Sequence, residues 1–242
     1  MQIQWLLLLL FLALPVLDHF VIFRGFERRR QVDALRARRL VWLHWAAMLW
    51  VSTGLIAAFC VAQGLPAAAM GLVASGGWRL WAVVALAVVL FALQAQGALK
   101  LARFTGDRTR LRDRLGSTGA VMPHIRAELP LWFAMSITAG VCEELLFRGF
   151  LIWSLAPLIG WLGAAAVSVV VFAAGHAYQG REGLLRTGAA AVAFTFLYWF
   201  TGSIWPGMVI HALVDILGGT IGYLILHDPV ATSTSEATAP AA

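Results

Sequence analysis

Gly140-Val141-Cys142-Glu143-Glu144-Leu145-Leu146-Phe147-Arg148-Gly149-Phe150 sets two carboxylates and a guanidinium inside an apolar run that extends from 129 to 162. A charge at the centre of a bilayer-spanning helix costs about 2.5–3.5 kcal/mol on insertion scales. Three such groups in one segment point to an intramembrane site, and the rest of the chain reads as its housing.

Composition agrees with a membrane setting. The 242 residues are 61% hydrophobic and 12% charged, with a mean hydropathy of +0.81. A soluble domain carries about twice that charged fraction. The fold class expected is all-α: a polytopic membrane helical bundle of about seven transmembrane helices with cytoplasmic surface helices. Cys60 and Cys142 both lie in apolar stretches and read as small buried hydrophobes rather than a disulfide.

The net charge of +6 is concentrated in alternate loops. Seven arginines fall between Arg24 and Arg39, and six more with Lys100 fall between Lys100 and Arg126. Arg181 and Arg186 occupy a third connector on the same side. This is the positive-inside pattern, so the charge orients the chain and touches anionic headgroups. A nucleic-acid partner is not indicated. The apolar runs expected to span are 5–23, 40–61, 78–99, 131–155, 158–178, 184–200 and 204–226. The first is read as a retained span and not a cleaved leader, because basic residues follow it instead of preceding it. Asp18 and His19 are then expected at the interface. The segments 27–39 and 100–128 read as cytoplasmic connectors, 63–77 as an external loop, and 184–200 as a short span. The N-terminus is expected outside and the C-terminus in the cytoplasm. The organisation expected is 1–128 as N-terminal spans and basic loops, 129–227 as the catalytic bundle, and 228–242 as a disordered tail. No internal repeat is visible, which disfavours an inverted-repeat carrier.

Three polar constellations carry the chemistry. Glu144 and Arg148 are four apart, so they share a helical face and can pair. Glu143 is rotated by about 100° from Glu144, which leaves it free. Next come Phe172 and His176, again four apart, with Gly160, Ala164 and Ser168 forming a small-residue stripe suited to close packing. Last, His211 and Asp215 share a face flanked by Gly207 and Gly219. That pair reads either as a packing contact or as a carboxylate that fixes the His211 tautomer. An acid, two imidazoles and another acid on three membrane segments are costly singly and are relieved together if they line one wet cavity. Such a set activates water in one of two ways: as general base and acid, or as ligands of a divalent metal such as zinc. Both lead to hydrolysis. By counting along the spans, Glu143 lies mid-membrane, His176 near the cytoplasmic side and His211 nearer the outer end. Their meeting therefore requires tilted, short or displaced helices.

Glu143-Glu144-x-x-x-Arg148, Phe172-x-x-x-His176 and His211-x-x-x-Asp215 together resemble the three motifs of the CPBP family. That family comprises the CAAX-prenyl endopeptidases of Ras-converting type and bacterial proteins linked to bacteriocin processing or self-immunity. The resemblance covers 143–215; residues up to 126 match only in being hydrophobic and helical. It implies a glutamate-dependent intramembrane endopeptidase without a cofactor, zinc remaining open as a ligand of the same residues. It further implies that Glu143 activates water with help from His176, and that His211 and residue 215 stabilise the oxyanion. Glu144, Arg148 and Phe172 carry over as supporting positions. The third motif in its familiar form ends in asparagine, a donor, whereas Asp215 donates only when protonated. The expected partners are a membrane-anchored peptide or protein, lipidated or not, and the bilayer, with the bacterial inner (plasma) membrane as location. The same buried carboxylates leave two other classes open, a non-catalytic immunity or interaction protein and a proton- or ion-coupled carrier.

Overall fold

The computed structural model describes residues 2–74, 76–104, 106 and 108–227; the tail from 228, read above as disordered, lies outside the described residues. Among these, every regular element is helical. Helix α1 is Gln2–Leu17 and passes through a wide π turn, Asp18–Phe23, into α2, Arg24–Arg29. Then come α3 (Ala34–Ala62), α4 (Gly77–Ala102), α5 (Thr109–Val121), α6 (Leu129–Glu143), a second π segment (Glu144–Leu151), α7 (Ile152–Gly175), α8 (Gly180–Thr201) and α9 (Trp205–Leu226).

Five helical segments are long and apolar enough to cross a bilayer: Ala34–Ala62, Gly77–Ala102, Arg126–Gly175, Ala177–Thr201 and Trp205–Leu226. The bundle is therefore an all-helical membrane fold, and seven is an approximate count. The 50-residue segment holds two of the expected spans. It reverses at Gly160, whose φ of 72° and ψ of 164° are non-helical and suit a residue without a Cβ. Below that reversal the returning limb packs on the outgoing one, and the Ser168 hydroxyl donates to the Phe147 carbonyl at 2.9 Å.

Several sequence boundaries shift. Helix α3 starts six residues before the expected 40, because Asp33 caps it by accepting the Arg36 amide at 2.9 Å. Helix α8 is a full 22 residues and not short, since a polar first turn with an Arg186–Glu182 pair extends it. The loop 63–77 is more than an external connector. Within it Gly71 accepts the Ile204 amide at 3.0 Å, Val73 accepts the Ser203 hydroxyl at 2.7 Å, and Met70 packs over Gly149. It forms a plug on that end of the bundle.

The core lies where the second π segment passes α3 and α7. Cys142, Leu146, Phe150 and Leu151 are fully buried there, with Leu49, Ile56, Phe59, Phe172 and Ala191 packed around them. A second cluster, Phe26, Ala37, Val41, Trp42 and Val121, seals the basic end. There Arg38 donates to Glu128 at 2.7 Å, and Glu128 also accepts the His124 amide at 2.8 Å.

Helices α6 and α9 run antiparallel at close range. The seam is graded by glycine: a methyl on Gly140 would stand 2.7 Å from both Ala212 N and Met208 O, and one on Gly219 would enter the Trp132 ring. This contact sets the register that brings Glu143 and Glu144 level with His211. Gly140→Ala is expected to cost about 1–3 kcal/mol through overpacking, read as a lower unfolding midpoint in detergent. Gly97→Ala, which meets open space, should show no such loss.

Candidate active site

The end of α6 and the start of the following π segment place consecutive glutamates on different walls. Glu144 is buried and faces Arg148, with Nη1 3.0 Å from Oε1. Arg148 is fully buried, and its Nη2 donates to the Ala191 carbonyl at 3.1 Å. Its guanidinium lies 4.5 Å from the centre of the Phe172 ring and 5.5 Å from that of Phe194. The charge therefore has a carboxylate, a carbonyl and two aromatic faces as its solvent.

Glu144 also meets His211. Its Oε1 lies 3.0 Å from His211 Nδ1. A carboxylate paired with arginine only accepts, so Nδ1 bears the hydrogen and Nε2 is the ring's working nitrogen. The His211 ring stacks on Phe194, with centroids 4.8 Å apart and an 18° tilt. Nε2 lies 3.7 Å from Glu143 Oε2 and 3.7 Å from Asp215 Oδ2, beyond hydrogen-bond reach of either. The carboxylate bonded to His211 is thus Glu144. Asp215 is the sequence candidate for that bond, and it stands at the opposite nitrogen.

Glu143 points away from the Arg148 pair, as its helical phase requires. Its Oε2 is buried yet has no hydrogen-bond partner among the described residues. His176 ends α7, and its Nδ1 lies 2.9 Å from the Phe172 carbonyl. A carbonyl can only accept, so this contact leaves Nε2 as an acceptor. The His176 and Phe172 rings are 4.8 Å apart, and Phe172 is 6.0 Å from His211.

Glu143, His176, His211 and Asp215 all border one cavity of about 400 Å³. The depth difficulty raised by counting along the spans disappears for two reasons. The antiparallel seam sets Glu143 beside His211. The limb after Gly160 has only residues 161–175, about 22 Å, so His176 does not travel to the far surface. Among the described residues, no three His, Cys, Asp or Glu side chains converge closely enough to hold a metal ion.

Three participants are not apparent in the sequence motifs. Phe194 stacks His211, and only its position on α8 relative to α9 reveals that. Trp132 donates its indole N–H to the Asp215 carbonyl at 2.9 Å. Asp18, expected at the interface, is instead 5% exposed; it borders the same cavity and accepts the Trp45 indole N–H. The wide turn at Asp18–Phe23 rotates it inward, a feature that straight α-helical counting misses.

The family model of the Rce1-like type II CAAX prenyl endopeptidases matches residues 125–217. A Bacillus subtilis (strain 168) protein with the name "Putative membrane peptidase YdiL" is 26% identical over 136 residues, which cover 56% of this chain and 53% of that protein. The chain thus spans about half the length of the curated relative it matches. No solved structure matches it.

Arg148→Met is expected to strand the buried Glu144 carboxylate and destabilise the bundle by about 3–5 kcal/mol. The combined Arg148→Met/Glu144→Leu protein should recover much of that loss, both being read by thermal unfolding in detergent.

Proposed function

We propose, from the match of residues 125–217 to the model of the Rce1-like type II CAAX prenyl endopeptidases, that the chain is an intramembrane endopeptidase. It hydrolyses a peptide bond of a membrane-associated substrate, lipidated or not, with water activated by Glu143 and His176. The observation that carries the proposal is the buried oxygen of Glu143, which has no hydrogen-bond partner among the described residues and borders a cavity shared with the imidazoles of His176 and His211.

In this mechanism water enters between Glu143 and His176. His176 accepts one water hydrogen at Nε2 and so aligns the oxygen, while Glu143 removes the other proton as attack begins. The water oxygen bonds to the carbonyl carbon, and the carbonyl becomes an oxyanion. Protonated His211, held at Nδ1 by Glu144, presents Nε2–H to that oxyanion. The C–N bond then breaks and the proton held by Glu143 passes to the leaving amine. Arg148 acts at one remove, since it fixes the carboxylate that fixes His211. Because Glu144 already orients the ring, Asp215 is assigned the donor role, protonated, beside His211.

The reaction is proposed to need no metal. The catalytic unit is assigned to 129–227, with 1–128 supplying the remaining walls. The orientation proposed has the end with α2 and α5 in the cytoplasm and the N-terminus outside, supported by the basic loops; the location proposed is a bacterial inner membrane, supported by the Bacillus relative.

Glu143→Gln is expected to lower cleavage of membrane-tethered peptides by about 10²–10⁴-fold with unchanged membrane levels, measured after reconstitution. Asp215→Asn should keep cleavage within about threefold, since the amide also donates; a loss beyond about a hundredfold with the fold intact would instead make Asp215 a charge partner of His211. Prolonged chelation should leave the rate unchanged, with zinc add-back giving no gain.

A further inference from the structure

The cavity is larger than the hydrolytic site needs, and its far wall comes from outside residues 125–217. Asp18, Trp42 and Trp45 line that wall. Asp18 is a carboxylate buried to 5% exposure, and its hydrogen-bond donor is the neutral indole of Trp45. Every lysine, arginine and histidine of the chain lies among the described residues. None of them forms an ion pair with Asp18. His19 adjoins it in sequence and His176 borders the same cavity, and neither forms an ion pair with it. A buried carboxylate without a counter-ion is expensive, and an intramembrane one is a functional-site candidate.

The charges of the whole cavity point the same way. Asp18 and Glu143 border it as carboxylates, while Asp215 is neutral in the mechanism above. The arginine at its border, Arg186, is turned to Glu182 at 3.1 Å. Against those two carboxylates stands one cation of the mechanism, protonated His211, so the lining keeps an excess of negative charge. The surface beside Asp18 is aromatic: Trp45 and Tyr178 have ring centroids 5.2 Å apart at 33°, and both border the cavity. Asp18 holds Trp45 by its N–H, which fixes the face that Trp45 presents. A carboxylate with adjoining indole and phenol faces is complementary to an ammonium or guanidinium group.

We propose that Asp18, with Trp45 and Tyr178, forms a subsite for a lysine or arginine side chain of the substrate peptide. The proposal rests on the endopeptidase reading, in that it places a basic residue of the substrate at a fixed offset from the bond facing Glu143. It makes the N-terminal helices part of substrate selection and not only membrane anchors.

The test uses full-length Glu143→Gln protein in lipid nanodiscs. The probes are membrane-tethered peptides that differ at one position, which carries lysine, norleucine or glutamate and is walked along the chain. Equilibrium binding is measured, and cleavage by the unmodified protein is followed in parallel. At one position lysine should bind about tenfold or more tighter than norleucine, the scale of a hydrogen bond to a charged group, and glutamate should bind weakest. Adding Asp18→Asn should bring the lysine-to-norleucine ratio close to one, while Asp18→Glu should keep it well above one. Equal binding of lysine and norleucine at every position would overturn the subsite. So would Asp18→Asn weakening all three peptides by one common factor, the mark of a packing role. Cleavage without any charge preference sinks the subsite and spares the hydrolase. A lysine preference in binding with no cleavage by the unmodified protein does the reverse.

Discussion

The buried pair of Glu144 and Arg148 is the interaction on which the rest is arranged. An arginine at that depth is tolerable only with its charge paired and its faces covered. Meeting those demands draws in Ala191 of α8, Phe172 of α7 and Phe194 of α8. The same carboxylate oxygen then reaches His211 on α9. One ion pair thereby gathers the second π segment, α7, α8 and α9 around a single point. It also sets the tautomer of the ring beside Glu143. Stability and the arrangement of the site are one requirement here, because the group that neutralises the arginine also orients the imidazole.

The neighbouring constraint is steric. Without a hydrophobic drive between helices in lipid, close association relies on small residues and on polar contacts. The α6–α9 seam has both, in Gly140 against the α9 backbone and in Trp132 bonded to the Asp215 carbonyl. Near the other end of the bundle the seam is held by Gly207 under Glu144. At the basic end Arg108 and Arg112 donate to the Leu224 and Ile225 carbonyls. These bonds satisfy acceptors that the last turn of a helix leaves open.

Much of this is legible in the sequence. Hydropathy marks the membrane helices, although its seven runs compare with five long apolar segments. The i, i+4 spacings separated Glu143 from the Glu144–Arg148 pair. What the sequence withheld is long-range or depends on departures from ideal helix. The Glu144–His211 bond joins residues 67 apart, and no local pattern distinguishes it from the nearer Asp215 alternative. Asp18 looks interfacial by its position near the end of an apolar run, and only the wide turn carries it inside. The break expected between 155 and 158 falls instead at Gly160, since the helix continues through Pro157. The depth conflict among Glu143, His176 and His211 arose from treating each apolar run as a full crossing.

The glycine seam has a mechanical corollary. Helices α6 and α9 meet backbone to side chain with no slack, so their line of contact is a rigid wall. The opposite side of the cavity is closed differently, by ring faces: Phe23 and Trp45 against Tyr178, at 5.1 and 5.2 Å. Ring faces slide and part with far less penalty than interlocked backbones. The aromatic flank is thus the yielding side of the cavity, and the α6–α9 seam is the frame against which it can move.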